Sequence, residues 1–378
     1  MSIPFIDLKS QQARIRDKID AGLATVLDHG AYIMGPEITA LEERLAEWSG
    51  AKHNISCSSG TDALLLALHG LGLKPGQGVI VPSFTFAASA EVMPIMGAVP
   101  VFAEVNPVTF NIEPTQLDGA RKAASDAGVE IVGIIGVGLF GQPANYEALM
   151  RFAVANNLWL IDDAAQSFGA SLNHRKVGTL AHVTCTSFFP AKPRGCYGDG
   201  GAVFTDDDDI AEIIRSCRTH GMGRDKYQNV RIGMTGRLDT MQAVVLDAKL
   251  DIFAEELALR QQVADRYQDK IGNSVETPQL AAGASSSWAQ YTIKLPADVD
   301  RDAVCSKMQA AGVPTAIYYP VPMHCQPPYR HFPIAGGGLQ TTGRLSKCVM
   351  ALPMHPYLKA DTQDVIVAAL KDALGTEG

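Results

Sequence analysis

Basic runs, long apolar runs and paired cysteines are all missing from this chain, and each absence removes a class of function. No cluster of lysine and arginine offsets the net charge of −8, and the isoelectric point is near 5.6, so no nucleic-acid or anionic-membrane partner is expected. An anionic small ligand stays open. The first residues, Met1 to Lys9, show no basic stretch leading into an apolar core, and no apolar run reaches the length of a membrane span. A cytoplasmic protein is therefore expected. The 7 cysteines are scattered from Cys57 to Cys348 without any Cys-x-x-Cys pair, which argues against a disulfide framework and against structural zinc. His220, His324 and His355 lack metal-ligand spacing, so no metal is expected.

What is present is an ordinary globular composition. Hydrophobic residues make up 47 % of 378 positions, enough for two domains or for one large domain with a smaller one appended. Over the first 250 residues helix-like and strand-like segments alternate, the signature of an α/β fold. Helices are expected at 36–48, 61–69, 146–155 and 207–218, and strands at 79–81, 99–102, 130–135, 158–161 and 183–189. Residues 238–268 read as one long helix. It connects a first domain, residues 1–250, to a C-terminal α/β domain, residues 251–378, that contains the apolar runs 291–295 and 315–319.

Lys192 stands out because it follows a strand-like apolar run and lies between Pro190 and Pro193, ahead of the glycine-rich stretch that starts at Gly195. Alone it reads as a solvated turn lysine. If it is desolvated, its ammonium is disfavoured, and the neutral amine can attack a carbonyl to form a Schiff base. Four other segments converge on this chemistry. Ser58-Ser59-Gly60-Thr61-Asp62 opens a helix, where free amides and the helix dipole hold a phosphate, although the same pattern suits a simple cap. Asp162 and Asp163 end a buried-looking strand, the place where open α/β sheets bind ligands. A carboxylate there can hold a protonated pyridine nitrogen, with Gln166 reaching the ring hydroxyl. Phe86 can stack on a flat ring, and Ser187 can add a donor to the phosphate.

Gly136-Val137-Gly138-Leu139-Phe140-Gly141, with Asp162 downstream, is formally a dinucleotide fingerprint. In a working fingerprint the third glycine lies in the opening helix. Here Gln142, Pro143, Ala144 and Asn145 intervene, so a nicotinamide dehydrogenase is the weaker reading.

The ordered set Gly60-Thr61, Asp163-x-x-Gln166, Ser187, Lys192 and Gly198-Asp199-Gly200-Gly201-Ala202 resembles the DegT/DnrJ/EryC1/StrS sugar aminotransferases, pyridoxal-phosphate enzymes of fold type I. The resemblance runs from Phe5-Ile6-Asp7-Leu8 to Leu352-Pro353-Met354-His355-Pro356. It passes through Tyr32-Ile33-Met34-Gly35-Pro36-Glu37, Arg237-Leu238-Asp239-Thr240-Met241-Gln242-Ala243 and Tyr319-Pro320-Val321-Pro322-Met323-His324. Within the family, Cys185 to Pro193 and Cys196 to Ala202 look most like members that aminate UDP-2-acetamido-2-deoxy-3-oxo-glucuronate. A dTDP- or UDP-linked 3- or 4-keto-6-deoxyhexose is the alternative substrate.

By this resemblance Lys192 bonds the cofactor, Asp163 pairs with the pyridine nitrogen, Gln166 meets the ring oxygen and Phe86 stacks. Gly60, Thr61, Ser187 and Thr235 hold the phosphate, while Arg237, Tyr318 and His324 face the sugar. The resemblance further implies glutamate as amino donor, pyridoxal and pyridoxamine phosphate as cofactor forms, bacterial surface polysaccharide biosynthesis including O-antigen, and a homodimer with shared sites. Three positions depart from the family pattern. Thr235 replaces an asparagine that reaches the neighbouring subunit's cofactor phosphate, Tyr318 replaces a histidine, and Arg194 replaces a leucine. A cation at Arg194 is expected to favour a neutral Lys192 if the two side chains meet. Non-catalytic relatives are set aside because Lys192, Asp163 and Gln166 are all retained.

Overall fold

A computed structural model describes residues 3–225 and 227–375. Two helices precede the first strand, α1 (Leu8–His29) and α2 (Pro36–Ser49). Each ends at a glycine in the left-handed region, Gly30 at φ 70° and Gly50 at φ 85°, where a side chain would be strained. The chain then alternates through β1 (His53–Cys57), α3 (Gly60–Gly70), β2 (Gly78–Pro82), α4 (Ala88–Ile95), β3 (Val99–Ala103), α5 (Leu117–Asp126), β4 (Ile131–Val137), α6 (Tyr146–Ala155) and β5 (Trp159–Asp163). A short hairpin, β6 (Ser171–Leu172) and β7 (Arg175–Lys176), leads to β8 (Val183–Ser187), β9 (Gly201–Thr205), α7 (Asp208–Cys217) and α8 (Thr240–Ile271).

Seven of these strands form one sheet in the order β1-β9-β8-β5-β4-β2-β3. Only β9 runs against its neighbours; the other pairings are parallel. Parallel strands are covered on both faces and so read as continuous apolar runs, as in β2, buried at all five positions. Asp163, at the carboxyl end of β5, is level with Cys185 of β8, two residues before Ser187. The two strand ends thus open side by side, where such sheets bind ligands.

The rest of the chain supplies an antiparallel pair, β10 (Tyr291–Lys294) and β11 (Val349–Leu352), with α9 (Arg301–Ala310), α10 (Gln340–Cys348) and α11 (Ala360–Leu374). A second apolar core gathers here, uniting Val263, Tyr267 and Ile271 of α8 with Ile293, Met308, Leu352 and Ile366. The first half of α8, through Leu246 and Phe253, packs instead into the main core. Residues 315–319 do not become a strand. They make one bridge, Ala316 with Ala351, because Tyr318 and Tyr319 turn to pack on the main core. No helix among the described residues is long and apolar enough to cross a membrane.

Candidate active site

The connection from β8 to β9 is closed by backbone hydrogen bonds. The Phe188 amide donates to Gly200 O and the Cys196 amide to Phe188 O, both at 2.7 Å, while the Lys192 amide donates to Phe189 O at 2.9 Å. Gly195 makes this closure feasible, since a Cβ there would lie 2.4 Å from the carbonyl oxygens of Phe189 and Pro190. Lys192 is carried on this turn, partly buried, and its side chain forms no hydrogen bond or ion pair among the described residues. Burial pushes its ammonium below the usual lysine range, against the attraction of the Asp163 carboxylate. The amine is thereby shifted toward its neutral, nucleophilic form.

Asp163 is 6 % exposed. Its Oδ2 accepts from the Ser89 hydroxyl at 2.6 Å and its Oδ1 from the Ala165 amide at 3.2 Å. Burial raises its pKa, opposed by those two donors and by Lys192. One turn later the Gln166 carbonyl accepts the Phe140 amide at 2.7 Å, and its Nε2 donates to the Tyr319 hydroxyl at 3.1 Å. Both side chains are therefore held in fixed orientations at the end of β5.

The opposite end of the site is the start of α3. Ser59 caps the helix by accepting the Asp62 amide at 3.0 Å, whereas the amides of Gly60 and Thr61 take no backbone acceptor among the described residues. A Cβ at Gly60 would sit 2.7 Å from the Ser187 Cβ, so glycine lets Ser187 close against the helix start. Two free amides, a helix dipole and a hydroxyl suit a phosphate. Phe86 is 56 % exposed, an unusual position for so large an apolar ring, with its centroid 6.3 Å from that of Tyr319.

The residues expected to face substrate are more scattered. The Nδ1 of His324 lies 2.6 Å from the Ser83 hydroxyl, which docks the 320–326 segment onto the loop bearing Phe86. Tyr318 packs edge-on against Tyr319 at 5.9 Å, and it is Tyr319 that meets Gln166. Arg237 makes no side-chain hydrogen bond or ion pair among the described residues, and its Nε is buried without a partner. Thr235 is exposed, with its hydroxyl 2.8 Å from His220 Nε2, and no hydrogen bond among the described residues joins it to Lys192.

At Arg194 the condition for a charge effect on Lys192 is not met. Instead of meeting Lys192, its guanidinium points the other way, 2 % exposed, donating to Leu246 O at 2.8 Å and lying between the rings of Phe188 and Phe253. The Leu246 carbonyl and the two rings hold this cation in the core behind the turn. The glycines of the dinucleotide-like stretch also have packing roles. A Cβ at Gly138 would lie 2.0 Å from the Ser167 Oγ, and one at Gly141 (φ 121°) 2.6 Å from the Trp288 amide. Ser83, Thr85, Ser89 and Tyr319 were not singled out in the sequence, although Ser83, Thr85 and Ser89 lie within three residues of Phe86, which was.

An unbonded, desolvated amine, a buried carboxylate facing it, an exposed aromatic face and an anion-binding helix start together fit pyridoxal phosphate. Set at the carboxyl ends of a mostly parallel sheet, they define a pyridoxal-phosphate enzyme of fold type I. The chain belongs to the DegT/DnrJ/EryC1/StrS aminotransferase family, which matches residues 13–371. It is 46 % identical to UDP-2-acetamido-2-deoxy-3-oxo-D-glucuronate aminotransferase from Pseudomonas aeruginosa, over 97 % of this chain and 99 % of the relative. A crystal structure of a DegT/DnrJ/EryC1/StrS aminotransferase from Brucella abortus superposes with a TM-score of 0.96 at 44 % identity, covering 99 % of this chain and all of that one. NtdA from Bacillus subtilis, solved with the cofactor pyridoxamine phosphate, superposes at 0.88 with 27 % identity, over 99 % and 86 % of the two chains. The protein is thus an aminotransferase dependent on pyridoxal phosphate.

Proposed function

We propose that this enzyme moves an amino group from glutamate to the keto group of UDP-2-acetamido-2-deoxy-3-oxo-glucuronate, in the cytoplasm, for bacterial surface polysaccharide such as O-antigen. The reading is carried by the facing pair Lys192 and Asp163 in a chain so similar to an aminotransferase of that substrate. When bound, pyridoxal phosphate supplies an electron sink for the carbanion next to nitrogen. Lys192 would hold the cofactor covalently and, once displaced by the donor, carry the proton between donor carbon and cofactor as a neutral amine. Asp163 would keep the ring nitrogen protonated, Gln166 would fix the ring oxygen, and Phe86 would cover one ring face. Gly60, Thr61 and Ser187 would take the phosphate. Both half-reactions use one site, so ping-pong kinetics follow.

Residues 1–250 are taken as the cofactor domain and 251–378 as the smaller one. A homodimer with shared sites agrees with the exposed apolar residues Val230 (52 %) and Ile232 (87 %) close to Thr235, which would reach the partner subunit's cofactor. Arg237, whose guanidinium is without a partner, is read as gripping the sugar carboxylate bidentately, with Tyr318 and His324 lining the same side.

The test mixes the pyridoxamine form with a panel of UDP- and dTDP-linked keto sugars and follows the return of yellow absorbance. The 3-oxo-glucuronate should restore it fastest; restoration only by a keto-6-deoxyhexose would establish the alternative substrate. Arg237→Lys should raise the apparent KM for the uronate about ten-fold or more while barely changing that for a neutral hexose, the range of a lost charge-assisted bidentate contact. Equal effects on both would remove Arg237 from carboxylate recognition.

A further inference from the structure

The loop between β2 and α4 carries more than the stacking face of Phe86. Thr85 and Ser89 are 2 % and 1 % exposed, and their hydroxyl oxygens are 3.0 Å apart. The Ser89 hydroxyl lies 2.6 Å from Asp163 Oδ2. The Ser89 amide also donates to Phe86 O at 3.3 Å, tying the stacking residue and the serine into one turn. The proton order follows from valence. An ionised carboxylate only accepts, so Ser89 spends its single proton on Asp163, and Thr85 must then donate to Ser89 Oγ. Such a chain is polarised along its length, each bond strengthening the next, and it ends on the charged oxygen.

We infer that Thr85 and Ser89 are positioning residues for transamination, a polarised hydroxyl chain that holds the Asp163 carboxylate ionised and in one orientation for the cofactor's ring nitrogen. The inference rests on Asp163 being the counter-ion of that nitrogen. The chain acts through Asp163 alone and touches neither Lys192 nor the phosphate end.

A buried carboxylate without these donors is pushed toward its neutral form, which cannot pair with a protonated ring nitrogen. Other titratable groups around Asp163 are Lys192 on the β8–β9 turn, Tyr319 from the 315–320 segment, Asp162 beside it on β5, Tyr146 of α6 and Cys185 of β8. None of them is altered by a substitution at Ser89. Removing the Ser89 hydroxyl raises the pKa of Asp163, so the acid limb of any rate that needs the carboxylate moves to higher pH.

The experiment compares holoenzymes of wild type, Ser89→Ala, Thr85→Val and Ser89→Thr. The glutamate half-reaction is followed in single turnover across pH, and the absorbance of the bound cofactor is titrated without substrate. Ser89→Ala should slow the half-reaction about ten-fold near neutral pH, and both profiles should move up by about one pH unit, as expected for a lost hydrogen bond to a buried charge. Thr85→Val should move them the same way by less, and Ser89→Thr, which keeps the hydroxyl, should restore them. Profiles of Ser89→Ala and Thr85→Val that superpose on wild type would overturn the inference. Asp163→Asn separates the two ideas. If it is inactive while the hydroxyl variants superpose, only the hydroxyl chain falls; if it works at the wild-type rate, the counter-ion reading falls with it.

Discussion

The two sides of the Lys192 turn are built in opposite ways. Behind it, one face of α8 grips the backbone. The Tyr197 amide donates to Gln242 Oε1 at 2.8 Å, Arg194 donates to Leu246 O at 2.8 Å, and Lys249 Nζ donates to Gly195 O at 2.5 Å. Positions 242, 246 and 249 share a face by helical spacing, and Lys249, like Arg194, is almost completely buried. In front, among the described residues, Lys192 makes no side-chain hydrogen bond and the first amides of α3 have no backbone acceptor, while Phe86 is exposed. Of Lys192, Arg194 and Lys249, only the forward one is left without a hydrogen bond among the described residues. The lesson is that a reactive amine need not be held by its own contacts. Its backbone is fixed from behind, so its nitrogen stays free for chemistry.

The widest break between the sides comes from Lys192→Ala. Transamination should fall by roughly 10³-fold or more, the scale of a lost proton carrier that is also the covalent anchor. Its thermal midpoint should stay level or rise, because a desolvated ammonium without a hydrogen bond is removed. Wild-type turnover would end the assignment of Lys192.

Lys249→Met probes the back with the reverse expectation. It leaves the Gly195 carbonyl without that donor in a buried place, a cost of about 1–3 kcal/mol in chemical denaturation at a pH high enough for Lys249 to be neutral in folded and unfolded chains alike. At neutral pH, relief of the desolvated charge offsets it. It should also speed amide exchange over residues 188–197. Burial pushes the Lys249 pKa down to about 8 from an ordinary 10.5. Between those values the unfolded chain binds the extra proton, so wild-type stability rises with pH across that window, and Lys249→Met should lack this rise. A variant as stable as wild type at high pH, or one with the same alkaline rise, would contradict the gripping role.

The front was far more legible in the sequence than the back. Lys192, Asp163 and Gln166 sit at strand ends or in turns, where glycine, proline and charge interrupt apolar runs, and the structure gathers them. Ser89 lies 74 residues from Asp163, in a stretch of small and aromatic residues that reads as a turn entering a helix. Nothing local reveals its acceptor. Which of Tyr318 and Tyr319 meets Gln166 depends on how residues 315–319 leave the β11 bridge, and the apolar run alone does not reveal that. The 22 residues of α1 escaped notice because polar residues dominate them and only Gln11, Ile15, Ile19 and Val26 are buried. The side to which Arg194 points was not legible for want of a period, because a turn flanked by prolines lacks the repeat that marks a face in a helix or strand.

Arg194→Leu is the smallest and most discriminating change. The guanidinium keeps one hydrogen bond, to Leu246 O, while its Nε and Nη1 are buried without partners. Burial lowers its pKa to about 9, a sign that the charge is poorly compensated. Cation–π contact with Phe188 and Phe253, at 5.8 and 5.9 Å, offsets part of that cost. Replacing an incompletely satisfied buried ion with an apolar side chain is often neutral or stabilising, so Arg194→Leu should change stability by no more than about 1 kcal/mol, in the stabilising direction. Because the side chain faces away from Lys192, the pH profile of the glutamate half-reaction should not move. A loss above about 2 kcal/mol would mean that the ring contacts and the Leu246 bond outweigh desolvation. A moved profile would mean that the back of the turn reaches the amine electrostatically, and the division between a gripping side and a reacting side would no longer hold.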